Sequence, residues 1–391
     1  MNLTESQATP SPRRISWKRK LLFTLVLVLL CWLVAELAFR LAGYDFEDPR
    51  RALGKVPPFY QVPTEPAGTF SYHRPANLQW QGRPLRTQLE LQGFTDSDYD
   101  EEMEVRIHYD QDGFRNAPGM DDWSMVFVGD SFTELGHLPD QQLFTSIVAT
   151  GSGRTVKNLG TSYTGPLTHL EYLVHYGIAP GTRDAVLVFF EGNDLDDLLL
   201  EEIRQAAAAR PGYRHGNLLD THVPQRSLTW ALFSQLGRLP GSSGESAANA
   251  TCQLGAESRR VTVNYAPLEM QVGHQRWELM IGALDSWAAV CQQHDLRSWL
   301  LYLPCKHRVL QPFLNVDPTA HPALRAWQPG PLPDQLSRLC ESRQIKFVDT
   351  TAVLQQSAAS GELPYNTVYD THLNAHGSRL VGELMTRQVK K

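Results

Sequence analysis

The chain has 391 residues, of which 42% are hydrophobic and 20% charged, enough to bury one large core or two modest ones. That composition excludes a mainly disordered chain, a collagen-like chain and a polytopic membrane protein. A net charge of −6 argues against a general nucleic-acid binder, which needs a basic surface to meet phosphate.

Residues 1–20 are polar and end in a basic cluster of Arg13, Arg14, Lys18, Arg19 and Lys20. Residues 21–35 carry no charge, and the apolar character continues to Ala42 past Glu36 and Arg40. A helix crosses the hydrocarbon layer with about 20 residues. Glu36 and Arg40 are four apart, so they can pair along a helix and reach the interface. Residues 21–42 therefore read as a transmembrane anchor. Basic residues ahead of it put residues 1–20 in the cytoplasm and the rest in the periplasm or at the cell surface. A cleaved signal peptide is the competing reading; the apolar run is long for one, and a small-x-small site is missing after it. Cys252, Cys291, Cys305 and Cys340 would then face an oxidising compartment, where one or two disulfides can form. Their spacing does not look like a zinc site.

Residues 43–123 are rich in Pro, Gly and charge, with an acidic stretch at 96–104. They read as an extended membrane-proximal segment with short strands, such as 105–109. From residue 124 strand-like and helix-like stretches alternate. Apolar stretches mark strands at 125–128, 185–190, 298–303 and 345–348, and 155–158 reads as a further short strand. Periodic stretches mark helices at 141–150, 167–176, 268–294 and 374–388. The alternation implies a parallel sheet with helices on both faces, an α/β flavodoxin-like three-layer sandwich over residues 124–391. Residues 201–265 break the rhythm and read as an insertion or lid.

Gly129-Asp130-Ser131 follows the first strand. A serine between strand and helix stands at the carboxyl edge of the sheet, beside free helix N–H groups. Alone, the tripeptide arises by chance in roughly one chain in ten of this length, and an N-cap serine is the plain alternative. Asp370-Thr371-His372 places a carboxylate and an imidazole two residues apart. In an extended segment both point the same way, and the carboxylate would orient the ring toward a serine. Asn193 follows the most hydrophobic strand and offers a neutral amide donor to an oxyanion. Asn158, Gly160 and Tyr163 follow the second strand, where a backbone N–H can serve the same purpose.

These four blocks, in the order Ser, Gly, Asn, Asp-His, resemble the SGNH hydrolases, also called GDSL-type esterases, over roughly residues 105–388. The resemblance is to membrane-anchored bacterial members. It also takes in Asp112-Gly113-Phe114-Arg115 and Pro304-Cys305-Lys306-His307-Arg308-Val309. It implies the SGNH hydrolase fold, with Ser131 as nucleophile, Asp370 and His372 completing the triad, and an oxyanion hole of Ser131, Asn193 and a second-block donor. Family members carry a glycine where this chain has Tyr163. Either Tyr163 or Gly160 supplies that donor. The Asp-Thr-His form is also similar to alginate-type O-acetyltransferases.

The expected function is a serine esterase that cleaves acyl esters, acetyl foremost, on envelope carbohydrate or lipid through an acyl-enzyme. Its partners are the ester substrate, which includes polysaccharide, and the membrane. An O-acetyltransferase acting on polysaccharide and a carbohydrate-binding member of low turnover are the alternatives. The mechanism calls for no metal and no diffusible cofactor. His372 and His376 have metal-like spacing without a carboxylate between them. Asp194, Asp196 and Asp197 read as the favoured acidic opening of a helix. Asp110-Gln111-Asp112-Gly113 only begins like a calcium loop.

Overall fold

A computed structural model describes residues 16–42, 56–92, 104–211, 227–229, 248–265, 267 and 274–391. Most of the acidic stretch at 96–104, and residues 268–273 of the expected helix, lie outside the described residues. The chain divides into two units, residues 1–52 with 222–242, and residues 53–221 with 243–391.

The first unit contains α1, Trp17–Ala42, the one helix among the described residues that is long and apolar enough to cross a membrane. Its 26 residues span about 39 Å at 1.5 Å per residue. It starts four residues before the expected span and takes in the basic Lys18, Arg19 and Lys20. Arg40 and Glu36 pair at 2.7 Å, as the four-residue spacing implies. Glu36 also accepts from the Thr229 N–H at 3.0 Å, and Trp32 donates to the Thr229 hydroxyl at 2.9 Å.

The second unit is built on five parallel strands: β1 Met125–Gly129, β2 Val156–Gly160, β3 Asp184–Phe190, β4 Arg297–Leu303 and β5 Lys346–Asp349. Their spatial order is 2-1-3-4-5, the flavodoxin-like order. Alternate residues of these strands face opposite layers. Phe127, Val188 and Leu301 pack with α3 (Phe144–Ser152), α8 (Thr351–Ala359) and α9 (Ala375–Val389). Val128, Leu187 and Leu300 pack with α4 (Pro166–Tyr172), α5 (Asp194–Ala208), α6 (Gln275–Gln293) and α7 (Leu332–Glu341). Strands covered on both faces favour apolar residues at successive positions, which is why 125–128, 185–190 and 299–303 read as continuous runs.

Three expectations are corrected. Residues 56–92 and 104–123 do not extend away, since Phe59, Phe70 and Arg74 are buried, while the expected short strand forms at Val105–His108 and pairs antiparallel with Gln79–Gly82. The insertion or lid expected over 201–265 does not begin at 201. Residues 201–208 continue α5, and Ala250–Leu254 and Glu257–Val261 form an antiparallel hairpin. The cysteines form no disulfide. Burial pushes the Cys252 and Cys291 thiols up to about 11 and the Cys340 thiol up to about 12.

Candidate active site

β1 is flanked by β2 on one side and β3 on the other, so the chain reverses direction across the sheet here. Such a switch point opens a crevice at the carboxyl ends of the strands. Asp130 caps the short helix α2, Ser131–Glu134, accepting the Phe132 N–H at 2.8 Å. The turn leaves no room for a side chain at Gly129, whose added Cβ would lie 2.1 Å from the Thr133 hydroxyl. Arg115, the end of the Asp-Gly-Phe-Arg block, donates to the Leu135 and Leu138 carbonyls at 2.8 Å each. It also donates to the Glu134 carbonyl at 3.2 Å, at the C-terminal end of α2, where a guanidinium is favourable, so this block secures the serine turn. Lys157 lies 2.9 Å from Asp110 and 3.1 Å from Asp112, so an ammonium occupies the calcium-like loop.

Glu134 ties the serine helix to the second-block loop. It pairs with buried Arg74 at 3.1 Å and accepts from the N–H and hydroxyl of Ser162 at 2.6 Å each. Burial alone would push its carboxyl up; the Arg74 charge and these donors outweigh it and hold it below its ordinary value.

His372 Nε2 lies 2.8 Å from Ser131 Oγ, and its Nδ1 lies 3.0 Å from Asp370 Oδ1. The local geometry corrects the expectation of an extended segment. Tyr369 has φ 63°, Asp370 N–H turns back to the Val368 carbonyl at 2.7 Å, and the His372 N–H donates to Asp370 Oδ1 at 2.7 Å. One carboxylate oxygen therefore holds both the backbone and the ring of His372, an Asx turn rather than strand alternation. Lys306 donates to the Thr367 carbonyl at 2.8 Å and the Asp370 carbonyl at 3.3 Å; the Pro304–Val309 block thus clamps this loop. Burial would raise the Asp370 carboxyl, but the charge and hydrogen bond of His372 hold it well below the usual carboxylate range. His376 lies elsewhere, on Ser357 at 2.7 Å and Glu362 at 3.1 Å.

A cavity of about 240 Å³ opens over this group, lined by Ser131, Tyr163, Asn193, Asp197, Tyr265 and His372 among others. Asn193 caps α5 and donates its amide to Asp197 Oδ2 at 2.6 Å. Tyr163 has φ 66°, a left-handed conformation that favours glycine, and the residue is 48% exposed. Gly160 is not among the lining residues. Its N–H donates to Asn158 Oδ1 at 2.8 Å, and an added Cβ would lie 2.3 Å from the Glu134 nitrogen. It is a close-packing glycine beneath the serine helix.

The acidic opening of α5 disperses. Asp194 accepts the Phe190 N–H at 2.8 Å, Asp196 pairs with Arg276 at 2.8 Å, and Asp197 faces the cavity. Among the described residues no cluster of metal ligands forms. Burial pushes Asp130 up to about 6 and Asp197 up to about 8. Sequence reasoning missed Phe59 and Tyr60. Phe59 meets the His372 ring edge-on at 4.8 Å, and the Tyr60 hydroxyl donates to Asp370 Oδ2 at 2.7 Å. Neither residue carries a local motif.

No family model matches the chain, and no curated protein does. Among solved structures it is similar to a lipolytic protein of the G-D-S-L family from Desulfitobacterium hafniense DCB-2, at 12% identity and TM-score 0.34, covering 68% of this chain and 99% of that one. A member of the same lipolytic family from Veillonella parvula DSM 2008 matches at 10% identity and TM-score 0.37, covering 68% and 98%. An acetyl xylan esterase from Butyrivibrio proteoclasticus matches at 7% identity and TM-score 0.32, covering 70% and 64%. Scores at that level leave the side-chain geometry to carry the functional reading.

Proposed function

We propose that the chain is an SGNH-type serine esterase. The observation that carries this is the continuous line Ser131 Oγ, His372, Asp370, with contacts of 2.8 Å and 3.0 Å. His372 takes the proton of Ser131 as Oγ attacks the ester carbonyl carbon. Asp370 holds the ring and stabilises its positive charge. The Ser131 N–H, the Asn193 amide and the backbone at Tyr163 surround the developing oxyanion. The carbon–oxygen bond to the alcohol then breaks, and His372 protonates the leaving oxygen. Water attacks the acyl-enzyme, His372 taking its proton, and the acid leaves as Ser131 recovers its hydrogen.

The positive φ of Tyr163 gives the backbone the course a glycine would take, which supports turnover over binding alone. The basic residues at positions 13–20, ahead of the uncharged run 21–35, support an anchored protein with this unit outside the cytoplasm. Esters on envelope carbohydrate or lipid fit that placement. The test is hydrolysis of an acetyl-ester reporter by the full chain in detergent, with and without oligosaccharide. Release of acetate that disappears in Ser131→Ala supports the esterase. Acetyl transfer to the oligosaccharide in place of acetate release would make it an O-acetyltransferase.

A further inference from the structure

We propose that Tyr60, from outside the α/β layers, is a positioning residue for the Asp370–His372 pair; the inference rests on the serine-hydrolase reading above. Asp370 is buried. Its Oδ1 accepts from His372 Nδ1 at 3.0 Å, the His372 N–H at 2.7 Å and Asn366 Nδ2 at 2.9 Å. Among the described residues, Tyr60 is the donor to Oδ2, at 2.7 Å. With both oxygens held, the carboxylate cannot rotate about its Cβ–Cγ bond, and the imidazole it orients keeps one heading toward Ser131.

The hydroxyl is delivered by a turn with little freedom. Pro58–Tyr60 forms a single 3₁₀ turn with proline at its start, and the Tyr60 N–H returns to the Pro57 carbonyl at 3.1 Å. Phe59 is buried and fills the space at Gly136, where an added Cβ would lie 2.5 Å from Phe59 Cβ. Arg74, paired with Glu134, donates to the Gln61 carbonyl just beyond. The turn is thus fastened to the helix that carries Ser131.

Tyr60 acts through Asp370 in two ways. It fixes the carboxylate, and it draws off part of its negative charge, which weakens its hold on a protonated His372. The other titratable groups around the pair are His137, 6.0 Å from the His372 ring, Asp130, Tyr265 and Tyr369, Lys306 on the Asp370 carbonyl, and Tyr163, Asp197, Glu201 and Arg204 lining the same cavity as His372. The substitutions below leave all of them in place.

The test is the rate at which a fluorophosphonate probe labels Ser131 in the full chain, measured from pH 5 to 9. Tyr60→Phe keeps the ring and is expected to slow labelling about tenfold and to raise the midpoint of the acid limb by about half a unit. A 3-fluorotyrosine placed at position 60 alone is a stronger donor that preserves the fold, and should lower that midpoint. In an Asp370→Asn background the Tyr60→Phe effect should shrink below about twofold, because the two residues act as one unit. Unchanged rates and profiles in both Tyr60 variants would overturn the inference, as would a full Tyr60→Phe effect in the Asp370→Asn background. Absence of labelling at Ser131 in the folded wild-type chain would overturn the serine-hydrolase reading, and this inference with it.

Discussion

The Asn193 amide donates to Asp197 Oδ2 at 2.6 Å, across one turn of the same helix. The amide proposed to face the oxyanion is therefore held by a carboxyl. Burial first, then neighbouring Glu201 and Asp130, push Asp197 up to about 8, so this carboxyl is largely neutral at pH 7. Ionisation would set a negative charge beside the developing oxyanion. Activity is expected to fall as pH rises through about 8, and Asp197→Asn should flatten that alkaline limb. An unchanged limb in Asp197→Asn, read from kcat/KM against pH, would dissociate Asp197 from the oxyanion. Asn193→Ala should lower kcat on the order of 10²–10³.

Gly160 and Tyr163 should respond in opposite ways. Gly160→Ala drives a Cβ to 2.3 Å from the Glu134 nitrogen, and backbone cannot swing aside as a side chain can. A loss of about 1–3 kcal/mol is expected from overpacking. Tyr163→Gly relieves a left-handed tyrosine, worth about 1–2 kcal/mol, against the greater chain entropy of glycine, about 0.5–1 kcal/mol. It should unfold within about 1 kcal/mol of wild type and keep its ester turnover. Urea unfolding and reporter hydrolysis on both variants check this.

Much of this architecture is legible in the sequence. Within β3, Asp184–Phe190, residues 185–190 are a run of apolar residues that a doubly covered strand favours. Gly129-Asp130-Ser131 and Asp370-Thr371-His372 are local patterns, and they meet at 2.8 Å. The bend that joins Asp370 to His372 was not legible, since it depends on the positive φ of Tyr369. Tyr60 was less so: its bond to Asp370 spans 310 positions, and a lone tyrosine after two prolines has no periodic signal. The expected break at 201 falls inside α5, Asp194–Ala208, where Glu201 is buried and accepts the Gly165 N–H at 2.7 Å.

Glu134→Gln should be strongly destabilising. It leaves Arg74, buried at 2% exposure, without its countercharge. Breaking one side of a buried pair costs about 3–5 kcal/mol. It also slackens the Ser162 loop, so turnover should fall along with the unfolding midpoint. A midpoint within error of wild type would show that Glu134 is not the tie between the serine helix and that loop.

His137 makes stability depend on acid. Burial first, against the attraction of Asp370, lowers it to about 4, while an unfolded histidine sits near 6.5. Between those values the unfolded chain binds more protons than the folded one, so this contribution is fully present above about 6.5 and is lost as pH falls toward 4. The loss is on the order of 3 kcal/mol. His137→Phe should remove that part of the slope when unfolding is followed from pH 7 to pH 4, and an identical slope in the variant would refute it.

The most direct measurement is peptide mapping of the full chain after treatment with a fluorophosphonate. One phosphonylated serine is expected, Ser131, with the adduct absent in Ser131→Ala and formed at least about tenfold more slowly in His372→Ala. An adduct on some other serine, or none in a folded sample, contradicts it.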